Sequence, residues 1–274
     1  MDIVLTMIPG FGVVSQNRLM TLCGDISVCF EMPFNELLEL DNRSPALCRI
    51  GRKRLEDFVH YREDNELIQR AGEVISQAAG KGISIITAAD CRYPERFAGL
   101  PDMPVVLYAA GELKINEYAC SAGIVGARRC SREGKQKAIE TAENEIKKGS
   151  AIISGMAKGI DSYAHTAALK SNGYTIAVLG SGPDICYPKE HERLYSELIS
   201  HGCVLSEYLP GTPPRAYMFP KRNRLIAALS DEVYVIDAGR HSGTGSTVED
   251  CKRYGRYCWS GDEGSVNLEK MSVL

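Results

Sequence analysis

From about Cys120 onward, short runs of β-branched and aliphatic residues alternate with helical stretches, and glycine-bearing loops follow most of the runs. The runs fall at 123–125, 151–153, 175–179, 203–205 and 232–236, with helices expected between and after them over 132–148, 160–171, 189–201, 221–229 and 247–254. Strand, crossover helix and next strand in this order build a parallel sheet covered by helices on both faces, which makes the fold class α/β. Two earlier apolar runs, 83–87 and 105–108, are expected to extend or edge the same sheet. The first 80 residues read differently, with helical periodicity, no strand pattern and two short glycine turns, Ile8-Pro9-Gly10-Phe11-Gly12 and Ile50-Gly51. Such a turn before a helix can bring backbone amides up to a phosphate, and it can equally be plain punctuation between helices.

Composition narrows the function. At 274 residues and 44% hydrophobic content the chain can bury one sizeable core with a smaller satellite. No stretch approaches the roughly 20 apolar residues of a membrane helix, and Met1-Asp2-Ile3-Val4 does not open a signal peptide, so no membrane association and a cytoplasmic location are expected. The ten cysteines include no CxxC pair and read as buried or free thiols. A formal net charge of −3 excludes a uniformly basic coat for duplex DNA, so any nucleic-acid contact must be local. Two basic segments qualify: Arg128, Arg129, Arg132, Lys135 and Lys137, and Arg215, Lys221, Arg222 and Arg224. Either could also be a solvated helix face.

In an open parallel sheet, ligands sit beyond the carboxyl ends of the strands. The loops there read Gly126-Ala127-Arg128-Arg129, then Ser154-Gly155-Met156-Ala157-Lys158-Gly159-Ile160-Asp161, then Gly180-Ser181-Gly182, and finally 237–247 with Ser242 and Gly243. Converging glycine loops suit an anion, because amides can face it and each following helix adds its positive end. No GxxxxGK[ST] is present, and Gly180-Ser181-Gly182-Pro183-Asp184-Ile185 lacks the third glycine of a dinucleotide site, so neither ATP nor NAD is expected and no cofactor is assigned. Arg128 supplies a planar, permanent charge, and Lys221, Arg222 and Arg224 stand beside Tyr217, Met218 and Phe219. Cations interleaved with rings suit single-stranded nucleic acid, whereas Phe219 could instead plug the core. His165 follows Asp161 by one helical turn, but Asp161 at a helix start reads better as a cap than as part of a catalytic pair. No metal-ligand spacing is found.

These loops, in this order, resemble the DprA/Smf family of DNA-processing proteins. The motifs that carry the resemblance are Tyr93-Pro94, Pro104-Val105-Val106-Leu107-Tyr108, Val125-Gly126-Ala127-Arg128, the 154–161 loop with Ala164-His165, Val178-Leu179-Gly180-Ser181-Gly182 with Tyr187-Pro188, Leu205-Ser206-Glu207-Tyr208, Phe219-Pro220-Lys221-Arg222-Asn223-Arg224, and Ser242-Gly243-Thr244. The resemblance implies an extended Rossmann-like domain over 81–262 and a sterile-alpha-motif-like or helix-hairpin-helix-like domain over 1–80; the C-terminus departs from the family pattern, with a short polar tail expected over 263–274 where a winged helix often follows. It also implies a non-catalytic homodimer that protects single-stranded DNA and loads a RecA-type recombinase on it during transformation or recombination. The DNA-binding residues would be Gly126, Arg128, Ser154, Gly155, Met156, Lys158, Gly159, Phe219, Lys221, Arg222, Asn223, Arg224, Ser242 and Gly243. The alternative rests on Gly243-Thr244-Gly245-Ser246-Thr247-Val248-Glu249, which looks like the signature of nucleoside-monophosphate phosphoribohydrolases and would make Arg128 and Glu249 catalytic.

Overall fold

The computed structural model describes residues 1–237 and 245–260, together with the backbone of 269–271. Six helices come first: α1 (Asp2–Met7), α2 (Val13–Cys23), α3 (Ile26–Glu31), α4 (Phe34–Arg43), α5 (Arg52–Tyr61) and α6 (Asn65–Gly80). Strands β1 (Ile83–Thr87) and β2 (Val106–Gly111) follow, and then the alternating part: β3 (Ser121–Gly126), α7 (Arg132–Lys147), β4 (Ala151–Ser154), α8 (Ile160–Lys170), β5 (Thr175–Val178), α9 (Glu192–His201), β6 (Cys203–Ser206), α10 (Met218–Leu229), β7 (Glu232–Ile236), α11 (Gly245–Arg253), β8 (Tyr257–Ser260) and β9 (Glu269–Met271).

The strands form one sheet in the order β1-β2-β6-β5-β4-β3-β7-β8-β9. The run from β6 to β8 is parallel, while β1, β2 and β9 are added antiparallel at the edges. From β3 the chain winds one way through β4, β5 and β6, then returns to lay β7 on the other side of β3, with Gly126 opposite Ile236. That reversal opens a crevice at the carboxyl ends of β3 and β7, where the flanking loops part.

The central strands β4, β5 and β6 are buried at every position, as both-sided coverage requires. Alternation along them sorts the core by face. Ile153, Ile176, Val178 and Leu205 pack with Leu225, Leu229 and Cys251 of α10 and α11. On the opposite face Ile124 and Ile152 meet Ala138, Ala142, Ala164 and Ala168, small side chains that let α7 and α8 approach closely. On that same face Ala177, Leu179 and Val204 join Tyr108, Leu5, Leu37 and Phe58, so the helical start packs directly onto the sheet in one continuous cluster. The passage of α6 into β1 is two residues long, and the helices and this face of the sheet share one cluster.

Candidate nucleic-acid interface

The expected helix opening at Lys221 begins three residues earlier, at Met218, with Pro220 in its first turn, where a missing N–H costs nothing. The shift decides how the aromatic cluster is used. Met218 is buried and plugs the core, while Phe219 is half-buried and turns outward. The Arg128 guanidinium lies 5.6 Å from the Phe219 ring centroid, and Tyr187 packs on Phe219 with centroids 5.5 Å apart and planes 33° apart. Lys221 lies 5.3 Å above the ring of Tyr217, which is exposed. The Arg128, Phe219 and Tyr187 group borders a hollow of about 620 Å³ and a smaller one of about 70 Å³. The larger is walled by the loop after β3, by Ala157 and Asp161 after β4, by Asn223 of α10 and by Thr247 of α11.

Beneath it, two buried charged side chains, Arg222 and Asp161, tie the loops together through backbone hydrogen bonds. Arg222 donates to the carbonyl of Gly155 at 2.8 Å and to that of Val178, the ends of two neighbouring strands. Asp161 accepts from the amides of Gly155 at 3.2 Å and Ala157 at 3.3 Å. Burial drives the Asp161 carboxyl up, opposed by the Arg222 charge and these amides. Burial likewise brings the Arg222 guanidinium down to about 10, which leaves it charged at neutral pH. Gly155 is required because a Cβ there would stand 2.5 Å from an Arg222 nitrogen. Gly159, at φ +80°, would place one 2.2 Å from the Ala127 carbonyl, so the loops after β3 and β4 close on each other only without side chains.

His165 is fully buried behind this floor and does not face the hollow. Its Nδ1 is 2.7 Å from Thr175 Oγ1, and that hydroxyl donates to the Ile152 carbonyl, so the Nδ1–H is the donor and Nε2 keeps a lone pair with no partner among the described residues. Burial, helped by the nearby Arg222 charge, lowers its pKa to about 3 and keeps the ring neutral. Asp161 is not the cap that the sequence suggested: Gly159 is the N-cap of α8, with no side-chain cap bond, and the Asp161 carboxylate instead takes the amides of the preceding loop. Thr247 is also fully buried, and its hydroxyl, on the wall of the large hollow, has no partner among the described residues.

Of the residues singled out in the sequence, Gly126, Arg128, Gly155, Lys158, Phe219, Arg222 and Asn223 line one hollow or the other. Gly159 shapes the loop beside them, and Lys221 stands exposed on Tyr217. Lys158 is paired with Glu190 at 2.8 Å on the surface. Three residues are placed elsewhere. Ser154 is buried and donates to the Ile124 carbonyl, holding β4 to β3. Met156, at φ +58°, turns its side chain into the cluster with Leu179 and Ala177, and only its backbone belongs to the loop. Arg224 is taken up by Glu207, at 2.6 and 3.2 Å, because two residues along a helix point to opposite sides, and Arg222 already faces the sheet. Ser242 and Gly243 lie outside the described residues. Glu249 is exposed on α11 and is not among the residues lining the hollow, so the pairing with Arg128 that a hydrolase needs is not formed there. Sequence reasoning did not assign Tyr187 or Thr247 to the site. The Tyr187-Pro188 pair was visible as a motif, but its contact with a ring far along the chain is tertiary.

Among the described residues no group of three or more His, Cys, Asp or Glu could hold a metal ion, and no helix is long and apolar enough to cross a membrane.

An open, mainly parallel sheet whose strand order reverses beside β3, with a cationic, ring-walled crevice at that point, makes this a Rossmann-like protein. A family profile described as DNA recombination-mediator protein A matches residues 84–271, well over half of the sequence, and the chain belongs to that family, DprA/Smf. It is 42% identical over 170 residues to the DNA processing protein DprA of Streptococcus pneumoniae, covering 61% of this chain and 58% of that protein. It is 32% identical over 213 residues to the Bacillus subtilis DprA, covering 78% and 72% respectively. The crystal structure of S. pneumoniae DprA superposes with a TM-score of 0.69 at 28% identity over 94% of this chain and 83% of that one. A Helicobacter pylori DprA structure, described for its single-stranded DNA binding mode, gives 0.60 at 30% identity over 67% of this chain and 84% of that one.

Proposed function

We propose that this chain binds single-stranded DNA in the crevice between the loops after β3 and β4 and the start of α10, and presents the strand to a RecA-type recombinase. Arg128, Lys221 and Lys158 take phosphates, and Phe219 with Tyr187 offers the faces on which unpaired bases stack. The observation that carries the reading is the Arg128 guanidinium over the half-exposed Phe219 ring at the mouth of a hollow of about 620 Å³. The recombination-mediator family description and the Helicobacter structure's single-stranded DNA binding support it. The protein acts without bond-making chemistry, as a homodimer in the cytoplasm, on strands taken up or exposed during transformation or recombination. Residues 1–80 serve as the helical accessory domain and 81–262 as the strand-binding domain.

Fluorescence-anisotropy titration with labelled oligo-dT and a matched duplex at two salt concentrations tests the binding step. Salt-sensitive preference for the single strand is expected, and Arg128→Ala should weaken it and reduce the slope of log K against log salt by about 0.7. Binding to neither substrate, together with release of ribose phosphate from nucleoside monophosphates, would replace this reading with the hydrolase. Co-sedimentation of a RecA-type recombinase with the loaded strand tests the hand-over.

A further inference from the structure

About a third of the basic side chains are engaged by carboxylates among the described residues. Arg43, Arg52, Lys81, Arg92, Arg96, Lys114, Lys148, Lys158, Arg224 and Arg253 each hold a carboxylate. The start of α7 is different. Arg129, Arg132, Lys135 and Lys137 form no ion pair among the described residues, and the first three are exposed. In a chain of net charge −3, unpaired cations gathered on one helix end beside the crevice make a local positive field next to the site.

Two features give the run a direction. It begins at Arg128, which lines both hollows, and passes through Arg129 to the first turn of α7, where one carboxylate, Glu133, stands between Arg132 and Lys135. One helical turn further, Lys135 is held 4.7 Å above the ring of Tyr163 on the neighbouring α8, the same cation-over-ring unit that Arg128 makes with Phe219 and Lys221 with Tyr217. The backbone of the helix end is not the attraction. Asp237 already accepts from the Ser131 amide at 2.5 Å, and the Ser131 hydroxyl accepts from Gly134, so the free charge is in the side chains.

We infer that Arg129, Arg132 and the Lys135–Tyr163 unit form a ledge that carries the phosphodiester backbone of single-stranded DNA after it leaves the crevice. The inference rests on the strand-binding reading of the crevice and extends its footprint along α7. Tyr163 acts as a positioning residue that holds the Lys135 ammonium over the groove between α7 and α8. Neither Arg132 nor Lys135 lines the hollows, so a strand short enough to fill only the crevice does not need them.

The test compares labelled oligo-dT of about six and about twenty nucleotides, within and beyond the span of one compact single-strand site. The double variant Arg132→Gln, Lys135→Gln should bind the short strand as the parent does. It should bind the long one about tenfold more weakly, with the slope of log K against log salt reduced by about 1.4 for two lost phosphate contacts. Lys135→Arg should restore most of the long-strand affinity, and Tyr163→Leu should lower it with the salt slope nearly unchanged. Equal binding of the long strand by parent and double variant overturns the ledge while leaving the crevice intact, and so does a loss of duplex rather than single-strand binding. A parent that binds neither length, or whose short-strand binding survives both Arg128→Ala and Phe219→Ala, overturns the crevice reading and the ledge with it.

Discussion

The turn at Ile50-Gly51 in the helical start and the loop at Gly155 in the sheet look alike as sequence, since each places glycine shortly before a helix. In the first, the two amides that could have met a phosphate are occupied: Asp41, buried and ten residues back, accepts from Ile50 at 2.7 Å and Gly51 at 3.0 Å. In the second, the carboxylate of Asp161 also takes loop amides, but it is matched by Arg222, and cations and rings stand above it open to solvent. The same local device is therefore a sealed turn in one region and the floor of an open, cation-lined hollow in the other. The side chains that meet it from elsewhere in the fold make the difference, not the glycine.

The comparison predicts its largest effect at Arg222. Arg222→Met leaves the Gly155 and Val178 carbonyls without their donor and the buried Asp161 carboxyl without the nearby positive charge, and should cost about 3–5 kcal/mol in urea unfolding, a loss that an exposed cation could not produce. If the variant unfolds like the parent, the floor is not held by Arg222. Asp41→Ala should cost about 1–3 kcal/mol by orphaning two amides, with no change in single-strand affinity. A gain of salt-dependent DNA binding in that variant would mean the turn is a masked phosphate site rather than a sealed one.

His165 gives a pH-dependent distinction between the buried floor and the open crevice. Its folded-state pKa near 3 lies below the ordinary value of 6.5, so between the two the unfolded chain binds a proton that the folded chain refuses. Its contribution is intact above pH 6.5 and is lost as pH falls towards 3, by about 1.4 kcal/mol per pH unit. Unfolding free energies at neutral pH and near pH 5 should show this slope in the parent and a shallower one in His165→Gln. An unchanged slope would mean the ring is reached by water. The smallest effect belongs to Glu249→Ala on the exposed side of α11, which should shift single-strand affinity by less than about 0.5 kcal/mol in the same titration. A larger loss would bring Glu249 into the site.

Much of the fold was legible because its signals are local. Runs such as Cys203-Val204-Leu205 and Glu232-Val233-Tyr234-Val235-Ile236 alternate with helical segments, and the parallel sheet follows from that order. The position of β1 and β2 next to β6 was open to the sequence only as an edge, since antiparallel pairing across nearly a hundred residues leaves no periodic trace. In the site, Arg128, Phe219 and Arg222 were readable from charge and ring type, but their roles were not. A helix start displaced by three residues turned Met218 inward and Phe219 outward, and a half-turn of α10 separated Arg222, under the crevice, from Arg224, held by Glu207.

What the sequence determined by itself was the class of architecture and the sheet edge at which glycine loops, cations and rings gather, because periodicity, glycine loops and charge are properties of short segments. Only the tertiary structure decided which amides stay free, which cations are neutralised and which rings meet. Tyr187 reaches Phe219, Asp41 reaches Gly51 and Tyr163 reaches Lys135 across separations that no local pattern encodes. Burial then sets the outcome, since a polar group removed from water must find a partner wherever the fold supplies one, and whatever remains unpartnered at the surface is left for the ligand.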